Sequence, residues 1–167
     1  MKKIIIIGNS GAGKTWLGKK IALVLKIPHI QLDSIFWEPG GFNQKRKDWE
    51  VKADLMKIQE SKRWVVEGVF GHLVDHLVSF GGTLIYIDLP WEECKKNLLG
   101  RGSESSKQLD HKKAEENFQA LLEWASKYDT RDSKASKMYH CLLFDSFSGE
   151  KYRVCNRAEI DQFLEKC

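Results

Sequence analysis

No apolar stretch in this 167-residue chain approaches the roughly 18–20 residues that cross a bilayer, so a membrane segment is not expected. The four cysteines, Cys94, Cys141, Cys155 and Cys167, are scattered and form no C-x-x-C pair. That argues against a disulfide framework and a zinc site, and leaves them as packing residues or exposed thiols. Charge of one sign is not in large excess either: 27 Lys and Arg stand against 23 Asp and Glu, the net charge is +4, and the basic residues interleave with the acids. Such a pattern is weak support for nucleic-acid binding and suits a small anionic ligand equally well. Internal repeats and low-complexity segments are absent from the sequence. The length suits a single domain, 1–167, large enough to bury a core and too short for a multidomain machine.

What is present begins near the N-terminus. Met1-Lys2-Lys3 and the run Ile4-Ile5-Ile6-Ile7 can imitate a secretory signal, but a glycine-rich segment follows at once with no small-residue cleavage site, so the cytoplasm is the expected compartment. That segment, Gly8-Asn9-Ser10-Gly11-Ala12-Gly13-Lys14-Thr15, satisfies G-x-x-x-x-G-K-[ST] in full. Glycines at these offsets let successive backbone N–H groups turn inward around nucleotide β- and γ-phosphates, and the following helix starts with its positive end aimed at them. Lys14 adds a point charge, and the Thr15 hydroxyl is a hard oxygen ligand for the Mg²⁺ that bridges the phosphates. The context is the required one: a β-branched strand run before the loop, and Leu17, Ile21, Val24 and Leu25 at helical spacing after it.

Along the chain, short apolar runs alternate with longer helical patterns, which suits an α/β fold with a parallel sheet covered on both faces. Strands are expected near 3–7, 29–32, 63–67, 83–88 and, least apolar, 151–155. Helices are expected near 14–26, 45–60, 71–79, 91–100 and 157–166, with a long helical region over 107–145 interrupted near Asp129-Thr130. Asn156 and Glu159 form a capping pair for the last helix. The Gly/Ser-rich stretch 100–106 is a candidate lid, with the lid region taken as about 100–115, and residues 34–60 form an insertion on the acceptor side.

In an open parallel sheet the ligand lies at the carboxyl ends of the strands, so the acids there come next. Asp33 and Glu67 are each followed by loop-like glycine or aromatic segments, which favours functional roles: Asp33 as a base or an orienter of an acceptor hydroxyl, Glu67 at the metal through water. Asp88, before Leu89-Pro90-Trp91, reads better as a cap or turn residue. Phe36 and Trp37, in a segment that continues to Pro39, Gly40, Gly41 and Phe42, suit a pocket wall for a planar acceptor, although aromatics in such loops serve as core anchors about as often. Lys45, Arg46 and Lys47 either open a solvated helix face or clamp an acceptor phosphate. Arg46 ranks first for the clamp, because guanidinium binds phosphate bidentately. Arg101, in the candidate lid, and Arg131 are arginines that a closing lid can bring to the charge of a transferring phosphoryl group. His72 and His76 have an i,i+4 metal-binding spacing, but nothing else of ligand type lies near them in sequence.

With the phosphate loop, QLDSIFWEPGG at 31–41, WVVEGVFG at 64–71 and TLIYIDLPWEECKKNLLGRG at 83–102, the chain resembles the adenylate-kinase-like P-loop proteins. More narrowly it resembles the bacterial group labelled DNA topology modulation proteins. The resemblance covers about the first hundred residues well and the remainder loosely. It implies a three-layer α/β/α P-loop fold of the nucleotide- or shikimate-kinase kind, strand order 2-3-1-4-5, a short lid, and ATP as donor. Glu67-Gly68 stands where the family usually has Asp-Gly, and Val69-Phe70 where Asn-Tyr is more familiar, so the carboxylate is kept one methylene longer and Gly68 is placed beside the acceptor. Despite the group's label, nothing in these residues forms a DNA-reading element.

The leading expectation is a small kinase that transfers the γ-phosphoryl group of Mg·ATP to a nucleotide or other small acceptor. A rival from another class is a nucleotide-binding regulator that acts on a protein partner or on DNA topology. A small GTPase is disfavoured, since the sequence has neither Asn-Lys-x-Asp nor an Asp-x-x-Gly switch after a strand.

Overall fold

The computed structural model describes residues 2–39, 44–103 and 110–165; Gly40, Gly41 and Phe42 of the expected aromatic wall and 104–109 of the expected lid lie outside them. Five strands, β1 (Lys3–Gly8), β2 (His29–Gln31), β3 (Trp64–Gly68), β4 (Thr83–Ile87) and β5 (Glu150–Val154), form one sheet in the order β2-β3-β1-β4-β5. All four pairings are parallel.

The isoleucine run explains the centre of this sheet. Side chains alternate between its faces, so Ile5 and Ile7 enter one apolar cluster and Ile4 and Ile6 the other. A continuous apolar strand is what two covered faces require. On one face lie α2 (Leu32–Phe36), α3 (Asp48–Glu60), α4 (Gly71–Val74) and α7 (Lys137–Ser146), contributing Ile35, Leu55, Leu73 and Leu143. On the other lie α1 (Lys14–Leu25), α5 (Trp91–Arg101) and α8 (Arg157–Glu165), contributing Leu17, Cys94 and Ile160. The helix α6 (His111–Ser126) packs Phe118 and Ala125 against Leu98 of α5.

Element types agree with the sequence pattern except in short or capped places. Strand β2 stops at Gln31, and Asp33 belongs to the five-residue α2 rather than to a loop. The helix expected from residue 45 starts at Asp48, after 44–46 has paired with 36–38 through Glu38 N–H to Gln44 O, Arg46 N–H to Phe36 O and a bridge between Trp37 and Lys45. Only one α turn forms at 71–74, followed by a 3₁₀ turn at Val78–Phe80. The long helical region divides into α6 and α7 with 127–136 between them. The last helix is capped as expected, Asn156 Oδ1 accepting from Glu159 N at 3.0 Å.

Candidate phosphoryl-transfer site

Strand β1 delivers Gly8 to the sheet's carboxyl edge, and α1 begins six residues later with Gly13 in the N-cap position and no side chain capping it. The first-turn N–H groups of α1 therefore face the loop's hollow, the arrangement that binds anions. Gly11 has φ +80°, and a Cβ there would stand 2.3 Å from Cys94 O, so only glycine lets the loop pass this close to α5. Two asparagines hold the loop from outside. Asn9 is buried; its Oδ1 accepts from Ser10 N at 2.8 Å and its Nδ2 donates to Ala125 O at the end of α6. Asn97 of α5 donates to Gly11 O at 2.8 Å. Lys14 is buried, with Nζ donating to Asn9 O at 2.8 Å.

Glu67 lies opposite Ile6 in the register of β1 and β3, which brings its carboxylate to the start of α1. There Thr15 Oγ1 donates to Glu67 Oε1 at 2.7 Å. A hydroxyl and a carboxylate oxygen touching beside a phosphate loop are the hard donors that fit Mg²⁺. Asp88, the other strand-end acid near β1, is already occupied: Tyr86 OH, the Arg153 guanidinium and Lys137 all reach its carboxylate. It is an ion-pair hub rather than the helix cap or turn residue read from the sequence, the N-cap position of α5 being Pro90. His29, which sequence reasoning passed over, stands with Nε2 at 3.8 Å from Glu67 Oε1; burial and nearby Lys19 push its pKa down, so the ring is neutral near pH 7.

Asp33 is the most perturbed acid here. Burial raises its carboxyl from 3.8 to about 6, Lys14 and Arg101 pull it down, and Glu67 pushes it up. Its Oδ1 is buried and has no protein hydrogen-bond partner. The charges that influence it come from the phosphate loop, β3 and the end of α5, so the structure gathers Asp33, Lys14, Glu67 and Arg101 from four separate segments.

The remaining candidates are placed differently. Arg46 donates to Ile35 O at 2.9 Å and pairs with Asp54 Oδ2 at 2.9 Å, tying α2 to α3. Arg131 donates from Nε to Ala135 O and from Nη1 to Trp124 O, both at 2.9 Å, and its guanidinium lies 3.5 Å from the Trp124 ring centroid. Burial lowers its pKa to about 10, and Nη2 is buried without a partner. Both arginines are engaged in holding the backbone. Phe36 and Trp37 stack edge to face with centroids 4.7 Å apart, Phe70 lies 4.8 Å from Phe36 and Trp124 6.1 Å from Phe70, and Phe36 and Phe70 also pack against the core. Gly68 closes against Leu32, whose Cβ would be 3.0 Å from an added Cβ. Among the described residues no group of three or more metal-ligating side chains forms around His72 and His76.

Behind the site runs a buried polar chain that no local pattern announced. His140 Nε2 lies 3.0 Å from Val69 O, Nδ1 lies 2.7 Å from Tyr128 OH, and Tyr128 OH lies 3.2 Å from Tyr86 OH. A carbonyl only accepts, so Nε2 carries the proton, Nδ1 accepts from Tyr128, and Tyr86 donates onward to Tyr128 or Asp88. Burial drives the His140 pKa to about 3, which keeps the ring neutral.

No family model matches the chain. It is 28% identical over 131 residues to an uncharacterized protein, YqaC, of Bacillus subtilis, covering 77% of this chain and 73% of that one. A 41-residue stretch, 25% of this chain and 24% of the other, is 46% identical to a shikimate kinase of Enterococcus faecalis. Among solved structures, shikimate kinase from Acinetobacter baumannii in complex with shikimate superposes with TM-score 0.57 at 16% identity, covering 99% of this chain and 90% of that one. YorR from Bacillus subtilis, in complex with phosphorylated GDP, superposes with TM-score 0.55 at 14% identity, covering 98% and 92%. The chain has the shikimate-kinase-like P-loop fold. No helix among the described residues is long and apolar enough to cross a membrane.

Proposed function

We propose that this protein is a small phosphotransferase that moves the γ-phosphoryl group of Mg·ATP to a small-molecule or nucleotide acceptor. The observation that carries the reading is the convergence at the sheet's carboxyl edge of three things: a phosphate loop, a Thr15–Glu67 pair fit for Mg²⁺, and a desolvated Asp33. The loop N–H groups and Lys14 hold the donor phosphates. Magnesium, held by Thr15 and by Glu67 directly or through water, would neutralise charge on the phosphate oxygens.

Asp33 faces the acceptor. With a pKa of about 6 it is mostly ionised at pH 7, yet basic enough to take a hydroxyl proton as the acceptor oxygen bonds to phosphorus and ADP leaves. Arg101 meets the charge of the transferring group, and Arg131 orders the aromatic wall through Trp124. Phe36, Trp37 and Gly68 shape the acceptor pocket, while Arg46 fixes the helices that carry it. The resemblance to DNA topology modulation proteins adds a subfamily label to this reading and no DNA-reading element. The chain is read as cytoplasmic.

The test is ADP release from Mg·ATP with nucleoside monophosphates, nucleosides and small alcohols or acids as acceptors, Lys14→Ala serving as the blank. Acceptor-dependent release at least tenfold above the blank supports the proposal. Tight ATP binding with no acceptor raising turnover contradicts it and favours a nucleotide-binding regulator.

A further inference from the structure

Strand β2 carries His29 and Gln31 on one face of the sheet, and its register with β3 sets His29 beside Val65 and Gln31 beside Glu67. Val65 belongs to the apolar cluster under α1, so His29 and Glu67 share the face that α1 covers. The helix makes room for the imidazole at Gly18, where a Cβ would stand 2.6 Å from His29 Nε2. Glycine inside a helix is less favourable than alanine, and this close approach gives a physical reason for it. Gly18 follows Thr15 by three residues, which puts both on the same side of α1. The ring therefore lies one turn along from the hydroxyl that meets Glu67.

Glu67 Oε1 accepts from Thr15 Oγ1 at 2.7 Å and lies 3.8 Å from His29 Nε2, just beyond hydrogen-bond length. His29 Nε2 is itself buried and has no hydrogen-bond partner, an uncommon state for a polar atom. A carboxylate only accepts, so the ring's proton belongs on Nε2. We propose that His29 is a positioning residue for Glu67, its Nε2–H closing on Oε1 when Mg²⁺ and nucleotide are bound and holding the carboxylate in the orientation that serves the metal. The proposal rests on the Thr15–Glu67 metal reading and adds to it a residue from β2, a strand that touches neither donor nor metal in that reading.

The experiment measures, by calorimetry on the full chain, the affinity for the non-hydrolysable analogue β,γ-imido-ATP with Mg²⁺ and again with EDTA. The ratio of the two is the gain due to the metal, and wild type should gain at least tenfold. Removing a hydrogen-bond partner of a metal-site carboxylate costs about 10–100-fold in metal affinity. His29→Leu, close to histidine in volume but without a donor, should keep its metal-free affinity within threefold and lose at least fivefold of the gain. His29→Gln still presents an N–H and should lie nearer to wild type. A merely structural role for His29 would lower both affinities and leave their ratio unchanged. On wild type alone, ¹⁵N NMR of the ring at about pH 8 should show Nε2 protonated, its signal moving further with Mg²⁺ and the analogue than with the analogue in EDTA. An unchanged gain in His29→Leu, a His29→Gln protein no better than His29→Leu, or an Nε2 without its proton would overturn the proposal. Wild type gaining nothing from Mg²⁺ would overturn the metal reading along with it, whereas a gain shared equally by wild type and His29→Leu would overturn this proposal alone. No acceptor enters these measurements, so they stand apart from the ADP-release test.

Discussion

Asp33 holds a carboxyl group away from water beside two cations, and burial outweighs both of them, since the pKa rises from 3.8 to about 6. Between those two values the folded protein binds more protons at this residue than the unfolded chain does. Stability therefore falls as pH rises through that window, by about 3 kcal/mol in all, and the deficit is fully present at pH 7. Asp33→Asn should accordingly raise the melting temperature at pH 7 and narrow the gap at pH 4. In the proposed mechanism the same substitution removes the proton acceptor. Turnover should drop about 10²–10⁴-fold while ATP affinity stays within threefold, and the acid limb expected near pH 6 in the wild-type pH–rate profile should be missing from the variant's. A variant that melts lower than wild type, or that keeps the acid limb, would contradict the role given to this residue.

Three ties between elements set the geometry of the site: Asn9 to α6, Asn97 to Gly11, and His140 to Val69 just beyond β3. The proton direction along the buried chain makes a prediction about its two tyrosines. Tyr128→Phe leaves His140 Nδ1 buried without a donor and should cost about 1–3 kcal/mol in urea unfolding. Tyr86→Phe should cost less, because Asp88 keeps Arg153 and Lys137 and the Tyr128 hydroxyl still donates to His140. Equal losses would mean the chain runs the other way. None of this was legible in the sequence: His140 and Val69 are 71 positions apart, and a buried histidine among helical residues carries no local mark of its partner. The glycine spacing and the strand pattern of the phosphate loop were legible, because backbone geometry dictates residue type there. Helix α2 was missed, since five residues are too few to display a helical period, and with it the placement of Asp33 on a helix instead of a loop. For Arg46 and Arg131, residue type suggested phosphate contacts, but their guanidinium groups went to carbonyls, a carboxylate and a tryptophan ring, partners that only the fold brings near.

At the scale of the whole molecule, the central strand buries alternate isoleucines on two faces and ends in a loop where α1, α5 and α6 converge. Gly11 is where that convergence is tightest. Gly11→Ala places a Cβ 2.3 Å from a backbone oxygen of α5, which a side-chain rotation cannot relieve. It should destabilise the protein by about 1–3 kcal/mol and weaken ATP binding more than tenfold by calorimetry, and an unaffected variant would mean that α5 does not brace the loop. In the proposed mechanism the loop binds the donor and Asp33 carries the chemistry. The most direct test is transfer of label from γ-³²P-ATP to acceptor by wild type, Lys14→Ala and Asp33→Asn, with ATP affinity measured on the same samples. The account predicts that Lys14→Ala loses both affinity and transfer, whereas Asp33→Asn keeps affinity and loses transfer. Transfer at the wild-type rate by a folded Lys14→Ala or Asp33→Asn protein would contradict it.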